Sequence, residues 1–165
     1  MKQLETGYAV TGVDYTPRLY TLAEIDKANY TETGRALFNR LPLETRDHPE
    51  MLRIAGLCAL LARNGAQAWN LGEESNSLPD WARRSHENQQ RWEEDLQKRT
   101  DACDSRVVGL VVALNELTGQ GWKLGGAVFS WCLVIPEGLT EYRSDYTHHT
   151  PGDGRSVPAI FLGGK

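Results

Sequence analysis

Residues 51–62 are apolar nearly throughout and are interrupted chiefly by Arg53. A helix without a polar face belongs in a protein interior, so this pattern predicts a buried central helix. Pro49 fits its first position, where the missing N–H group would have no partner anyway. Asn64 and Gly65 suit a left-handed cap, which predicts that the helix ends there. The residues at 72–77 are then predicted as a polar loop.

The N-terminal part of the chain is predicted to hold a short strand followed by helical segments. Residues 7–13 alternate weakly and are rich in β-forming types, which favours a first strand. Thr21 and Glu24 have the spacing of a capping box and predict the start of a helix. Gly34 is expected to interrupt that helix, after which an apolar stripe at helical spacing continues to Pro42.

Residues 80–118 contain no proline and a single glycine, Gly109, and their apolar positions recur at helical spacing. Polar residues dominate the first half, whereas 107–117 is solidly apolar. Two arrangements fit this contrast. Either one long helix projects its polar part, 80–100, into solvent, or a break near 100–105 makes two helices. Good N-cap types such as Thr100, Asp101 and Asp104 favour the break.

A β-hairpin is predicted after this helical region. Gly119 and Gly121 are expected to end the helix. The pair Gly125-Gly126 is predicted as the turn of a hairpin within 122–135, because both glycines accept a positive φ. The apolar second arm of that hairpin is typical of a buried strand.

The rest of the chain completes the predicted fold. A long polar loop is expected over 137–157 and a short final strand over 159–162. The whole pattern predicts an α+β fold, a helix-rich single domain with a buried central helix and a small antiparallel sheet. That sheet would consist of the hairpin near 122–135 and the short terminal strands.

The run LNELTGQGWKL at 114–124 resembles the helix–turn–strand signature of a family of small bacterial domains of unknown function. In that family a helix ends in a similar sequence before a hairpin. The resemblance implies a helix face carrying Leu114 and Leu117, a glycine C-cap at Gly119 and a strand anchored by Trp122. It concerns local structure and implies no activity.

Composition narrows the class of protein. The chain has 165 residues and a net charge of −4, which favours one globular domain over 1–165 and makes nucleic-acid binding an unexpected function. No apolar run approaches the roughly 20 residues of a membrane-spanning helix, and no apolar leader segment is evident at the start. Three widely spaced cysteines without a CxxC pair predict a cytoplasmic protein without structural zinc. No motif indicates a cofactor.

One group of candidate residues lies on the predicted loop, at 141–155. Its side chains are of the types that transfer protons, bind a divalent metal or hold an anion. The candidates are His148, Asp153 and Glu141 for catalysis, His148, Asp145 and Asp153 for a metal, and Arg143 and Arg155 for a phosphate or carboxylate. The favoured interpretation is an ordinary solvated loop. The alternative is a metal- or phosphate-dependent enzyme.

A second group of candidates comprises Trp81, Arg84 and Trp92, with nearby Trp69, because tryptophan and arginine dominate protein–protein contacts. For this segment alone, inward-packed tryptophans beneath a solvated charged face are favoured. For the whole chain, we predict a non-enzymatic, intracellular protein-binding module. An inhibitor or adaptor of phage or bacterial origin, acting on another protein through an aromatic and charged surface, fits the size and the lack of a catalytic motif.

Overall fold

The computed structural model describes residues 16–140, 146–149 and 156–163, and their arrangement confirms the predicted α+β class. Helices dominate, and one small antiparallel sheet accompanies them. The strand predicted over 7–13 lies outside the described residues. In chain order the elements are α1 (Leu22–Asp26), α2 (Glu32–Phe38), α3 (Leu43–Arg46), α4 (Met51–Ser75), α5 (Asp80–Arg83), α6 (His86–Thr118), β1 (Lys123–Ala127), β2 (Ser130–Val134), β3 (Tyr146–His149) and β4 (Ser156–Phe161).

The first helix begins at the predicted capping box. The Thr21 hydroxyl accepts a hydrogen bond from the Glu24 amide at 3.2 Å, and the Glu24 carboxylate accepts one from the Thr21 amide at 3.1 Å. The predicted interruption at Gly34 is wrong, because α1 already ends at Asp26 and Gly34 lies inside α2. Gly34 lets α2 pack closely against α4, since a Cβ at this position would lie 2.6 Å from the Cα of Ala59.

Helix α4 is the predicted buried helix, but it is much longer than predicted. Between Ile54 and Ala62 almost every side chain is buried, whereas the first turn, with Leu52, is exposed. The predicted end at Asn64-Gly65 is wrong. The Asn64 side chain donates from Nδ2 to the Leu60 carbonyl at 2.8 Å, and the helix continues to Ser75. Most of the loop predicted over 72–77 is therefore helical.

Helix α6 is continuous, so the predicted break near 100–105 is wrong. Thr100 is buried, and its hydroxyl donates to the Leu96 carbonyl at 2.8 Å instead of capping a new helix. The break lies earlier, where Ser85 caps α6 by accepting from the Asn88 amide at 3.0 Å. The predicted projecting segment, 80–100, packs one side against the protein, because Trp92 and Leu96 are buried.

Helices α4 and α6 pack against each other in opposite directions. The Arg99 guanidinium binds the Glu74 carboxylate at 2.9 and 2.6 Å near the end of α4. Further along α6, Arg106 Nε donates to Asn64 Oδ1 at 2.7 Å. The two helices are therefore antiparallel. Their apolar faces pack into the core.

Residues 16–20, called the strap below, lie across α6. The Arg18 amide donates to the Ser105 carbonyl at 2.9 Å. One turn further along α6, the Arg18 carbonyl lies so close to Gly109 that a Cβ at this position would overlap it. Gly109 is therefore the residue that lets the strap reach the helix.

The sheet has the order β1-β2-β4-β3, and every neighbouring pair is antiparallel. The predicted hairpin is present, but the turn predicted at Gly125-Gly126 is wrong. Those glycines lie within β1 and pair with Cys132 and Trp131 of β2. The turn consists of Val128 and Phe129, and Phe129 has a φ of 75°. Phe129 packs on Gly72 of α4. A Cβ at Gly72 would lie 2.8 Å from the Phe129 Cβ.

The loop predicted over 137–157 is interrupted by β3, whose residues pair from Tyr146↔Ala159 to His149↔Ser156. The final strand predicted over 159–162 is confirmed as β4, which begins earlier, at Ser156.

A buried carboxyl joins the sheet to the helices. Asp104 of α6 is 2% exposed, and its Oδ1 accepts a hydrogen bond from Trp131 Nε1 of β2 at 2.8 Å. Burial raises the pKa of Asp104 to about 6, against the lowering effect of this hydrogen bond. The carboxyl therefore keeps its proton at a higher pH in the folded protein than in the unfolded chain, where its pKa is about 3.9.

This difference predicts a pH-dependent loss of stability. The free energy of unfolding should fall as the pH rises from about 4 through the folded pKa of about 6. Relative to Asp104→Asn, the wild type should lose about 2–3 kcal/mol between pH 4 and pH 7. Urea unfolding of both proteins at several pH values measures this loss of stability. The control, Asp47→Asn, changes an exposed carboxyl on another segment and should follow the wild type. Parallel pH profiles of the wild type and Asp104→Asn would contradict this account.

Candidate functional site

The predicted aromatic anchors do not form one exposed surface. Trp92 is 9% exposed and belongs to the core, so its predicted role as a surface anchor is wrong. Trp81 on α5 is 47% exposed, and Arg84 next to that helix is also exposed. Trp69 lies on α4, where its ring meets that of Phe161 edge-on at 5.8 Å. The accessible candidates therefore lie in two places, with Trp81 and Arg84 at α5 and Trp69 on α4.

The candidates on 141–155 fall largely outside the structure's described residues. His148 lies in β3 and pairs with Val157 in the register of the sheet. Glu141, Arg143, Asp145, Asp153 and Arg155 lie outside the described ranges. Within those ranges, no group of three or more His, Cys, Asp or Glu side chains is arranged to hold a metal ion. The enzyme alternative on this loop stays a prediction.

An exposed group of apolar side chains lies elsewhere, at a groove that sequence analysis did not identify. The groove has a volume of about 440 Å³. Leu52 is 82% exposed, Tyr30 51% and Met51 46%. We call it the apolar groove, and its lining residues are Ile25, Asp26, Ala28, Tyr30, Arg35, Phe38, Met51, Leu52, Arg53, Ala55 and Gly56.

Helices α1, α2 and α4 build the apolar groove, together with the connection between α1 and α2. Tyr30 comes from the connection between α1 and α2, Phe38 ends α2, and Met51 and Leu52 form the first turn of α4. The sequence pattern placed Met51 and Leu52 in the buried helix because they continue its apolar run. That helix becomes covered only from Ile54 onward, which leaves two large aliphatic side chains in solvent.

Two arginines at the apolar groove differ in how their charge is matched. Arg53 donates to the Asp26 carboxylate at 3.0 Å and to Glu50 at 3.2 Å, and the hydrogen bond from Arg53 lowers the pKa of Asp26. Arg35 lies over the Tyr30 ring, 5.5 Å from its centroid. Among the described residues, no carboxylate lies within ion-pair distance of Arg35. Within the described ranges, the groove therefore combines apolar surface with one positive charge that no carboxylate matches.

The cysteines are poorly suited to nucleophilic chemistry. All three are free and buried. Burial raises the pKa of Cys132 to about 12 and that of Cys103 to about 11, and it also raises the pKa of Cys58. Because the thiolate is the reactive form, these side chains are inert at neutral pH.

Comparisons with known protein families, curated proteins and solved structures give no match for this chain. The local resemblance at 114–124 agrees with the structure in its details: α6 ends at Thr118, Gly119 adopts the left-handed conformation, and β1 follows.

No helix among the described residues is long and apolar enough to cross a membrane.

The contrast between two tryptophans gives a stability prediction. Replacing the buried Trp92 by alanine should lower the free energy of unfolding by about 3–5 kcal/mol, since a large side chain leaves the core. The same change at the half-exposed Trp81 should cost less than about 1 kcal/mol. Denaturant unfolding of both variants measures the difference. Equal losses would contradict the assignment of Trp92 to the core and Trp81 to the surface.

Proposed function

We propose that this chain is a non-enzymatic protein-binding module, an inhibitor or adaptor, that receives its partner in the apolar groove. The observation that carries the proposal is the exposure of Leu52, Met51 and Tyr30 around one depression. Contiguous exposed apolar surface has an energetic cost in water, and such patches mark sites of interaction. Methionine adapts its shape to a partner, and a tyrosine supplies rigid contact area.

The charge at the groove favours a particular partner chemistry. Arg35 has no carboxylate partner among the described side chains, whereas Arg53 is matched by Asp26 and Glu50. We therefore propose a protein segment that presents an aliphatic or aromatic side chain to the groove and a carboxylate to Arg35. A bidentate arginine–carboxylate pair would fix the orientation of the segment.

The predicted intracellular location belongs to the same proposal. Its support is the state of Cys58, Cys103 and Cys132, all of which are free thiols. Free cysteines throughout a domain fit a reducing compartment.

Site-specific photo-crosslinking tests the groove as the interface. A photoreactive phenylalanine analogue at Leu52 should crosslink one protein species in cells that express the chain. The same analogue at Glu93, an exposed position on α6, should not. Arg35→Glu should suppress the crosslink, because it reverses the charge that holds the partner's carboxylate. No crosslink from Leu52 while Arg35 is intact, an Arg35→Glu variant that crosslinks as strongly, or the same species from both positions would overturn the proposal.

Once the crosslinked partner is purified, affinity measurements show how much each groove residue contributes to binding. Leu52→Ala should weaken binding about tenfold or more, which corresponds to about 1.4 kcal/mol. Because Leu52 is 82% exposed, the same change should alter stability by less than about 0.5 kcal/mol.

The matched control is Leu43→Ala, an exposed leucine on α3 outside the groove, which should leave affinity unchanged. If instead Trp81→Ala abolishes binding and Leu52→Ala does not, the interface lies on α5 and the groove proposal fails.

A further inference from the structure

A second depression lies on the other side of α1, and its lining is polar and cationic. It has a volume of about 690 Å³, within the range of small-molecule sites. The strap, α1 with the connection that follows it, α4 and α6 line it. The charged side chains in its lining are Arg18, Lys27, Arg63, Arg106 and Glu24. Four positive groups against one negative group stand out in a chain whose net charge is −4. We call this depression the cationic cleft.

The charges of the cationic cleft are matched only in part. Arg18 Nη2 lies 2.6 Å from the Glu24 carboxylate, so this pair is neutral overall. No carboxylate in the described ranges lies within ion-pair distance of Lys27, Arg63 or Arg106. As far as the described part of the chain goes, three positive charges therefore remain available to a ligand.

Arg106 is held in place without being neutralised. Its Nε donates to Asn64 Oδ1 at 2.7 Å, and its Nη2 donates to Gln67 Oε1 at 3.0 Å. Asn64 is itself buried and is oriented by its own hydrogen bond to the Leu60 carbonyl. Neutral amide oxygens thus orient the guanidinium while its charge stays available, which is the arrangement expected of an anion-binding arginine.

The Tyr20 hydroxyl lies where the positive charges of several cleft residues act together. Tyr20 lines the cleft half-buried, with the Arg18 guanidinium 4.0 Å from its ring centroid. Burial raises the pKa of the Tyr20 hydroxyl, and the positive charges of Arg18, Arg106 and Arg63 oppose that rise. The hydroxyl is therefore within the electrostatic reach of three guanidinium groups from different elements.

We propose that the cationic cleft binds a dianionic phosphate group through Arg63, Arg106 and Lys27. Phosphate matches the available charge, and its oxygens accept two parallel hydrogen bonds from a guanidinium. The volume of the cleft leaves room for a small organic group attached to that phosphate. This site is separate from the apolar groove, although Ala28, in the connection that follows α1, lines both.

Calorimetric titration at low ionic strength tests the proposal with AMP, inorganic phosphate and adenosine as probes. AMP or inorganic phosphate should bind, and adenosine, which lacks the phosphate, should bind at least about tenfold more weakly. Tighter binding of AMP than of inorganic phosphate supports a phosphate ester as ligand. The reverse order supports the free ion, and both results keep the site. Affinity should fall as salt is added, because the attraction is electrostatic.

Matched variants locate the binding. Arg63→Gln and Lys27→Gln remove exposed charges of the cleft, and each should weaken binding about tenfold while leaving the melting temperature unchanged. Arg91→Gln removes an exposed arginine of α6 that does not line the cleft and should leave affinity unchanged. No binding of either phosphate probe at about 10 mM, adenosine binding equal to AMP, or equal losses in Arg63→Gln and Arg91→Gln would overturn the proposal.

Discussion

The fold depends on how closely other segments approach the two long helices. Helices α4 and α6 form the core pair, and the strap and the end of the sheet reach them where a side chain is missing. The Arg18 carbonyl occupies the space beside Gly109, and Leu162 occupies the space beside Gly65, where a Cβ would lie 2.6 Å from the Leu162 Cβ. These contacts decide where the covering segments lie, and therefore where depressions form between them.

Both proposed sites follow from the position of α1 on this helix pair. On one side of α1, the first turn of α4 extends beyond its cover and leaves Met51 and Leu52 beside Tyr30. On the other side, the strap brings Tyr20 next to Arg63 of α4 and Arg106 of α6. One helix of five residues thus separates an apolar surface from a cationic one. Together, the two proposals describe an adaptor that would hold a protein segment and a phosphate group at neighbouring sites.

The sequence predicted the elements whose signals are local. The capping box at Thr21, the buried helix from Ile54 and the left-handed residue Gly119 are all present, because each depends on neighbours in the chain. Glycine was the main source of error. The sequence predicts a helix end at Gly65 and an interruption at Gly34, although each lies within a helix and makes a contact with a distant segment. A sequence shows that a side chain is missing, but not which segment fills the space.

The candidate sites were harder to predict for the same reason. Arg63 and Arg106 are 43 positions apart in the sequence and lie on different helices. Only tertiary packing brings them to one cleft.

The sign of one stability change tests this account most directly. Helix propensity alone predicts that Gly109→Ala, within the long helix α6, raises the free energy of unfolding by up to about 1 kcal/mol. The close approach of the Arg18 carbonyl predicts the opposite, a loss of about 1–3 kcal/mol, because the strap or the helix must move. Urea unfolding of the wild type and Gly109→Ala measures the difference. A less stable variant is the predicted result, and a variant as stable as the wild type or more stable would contradict the account.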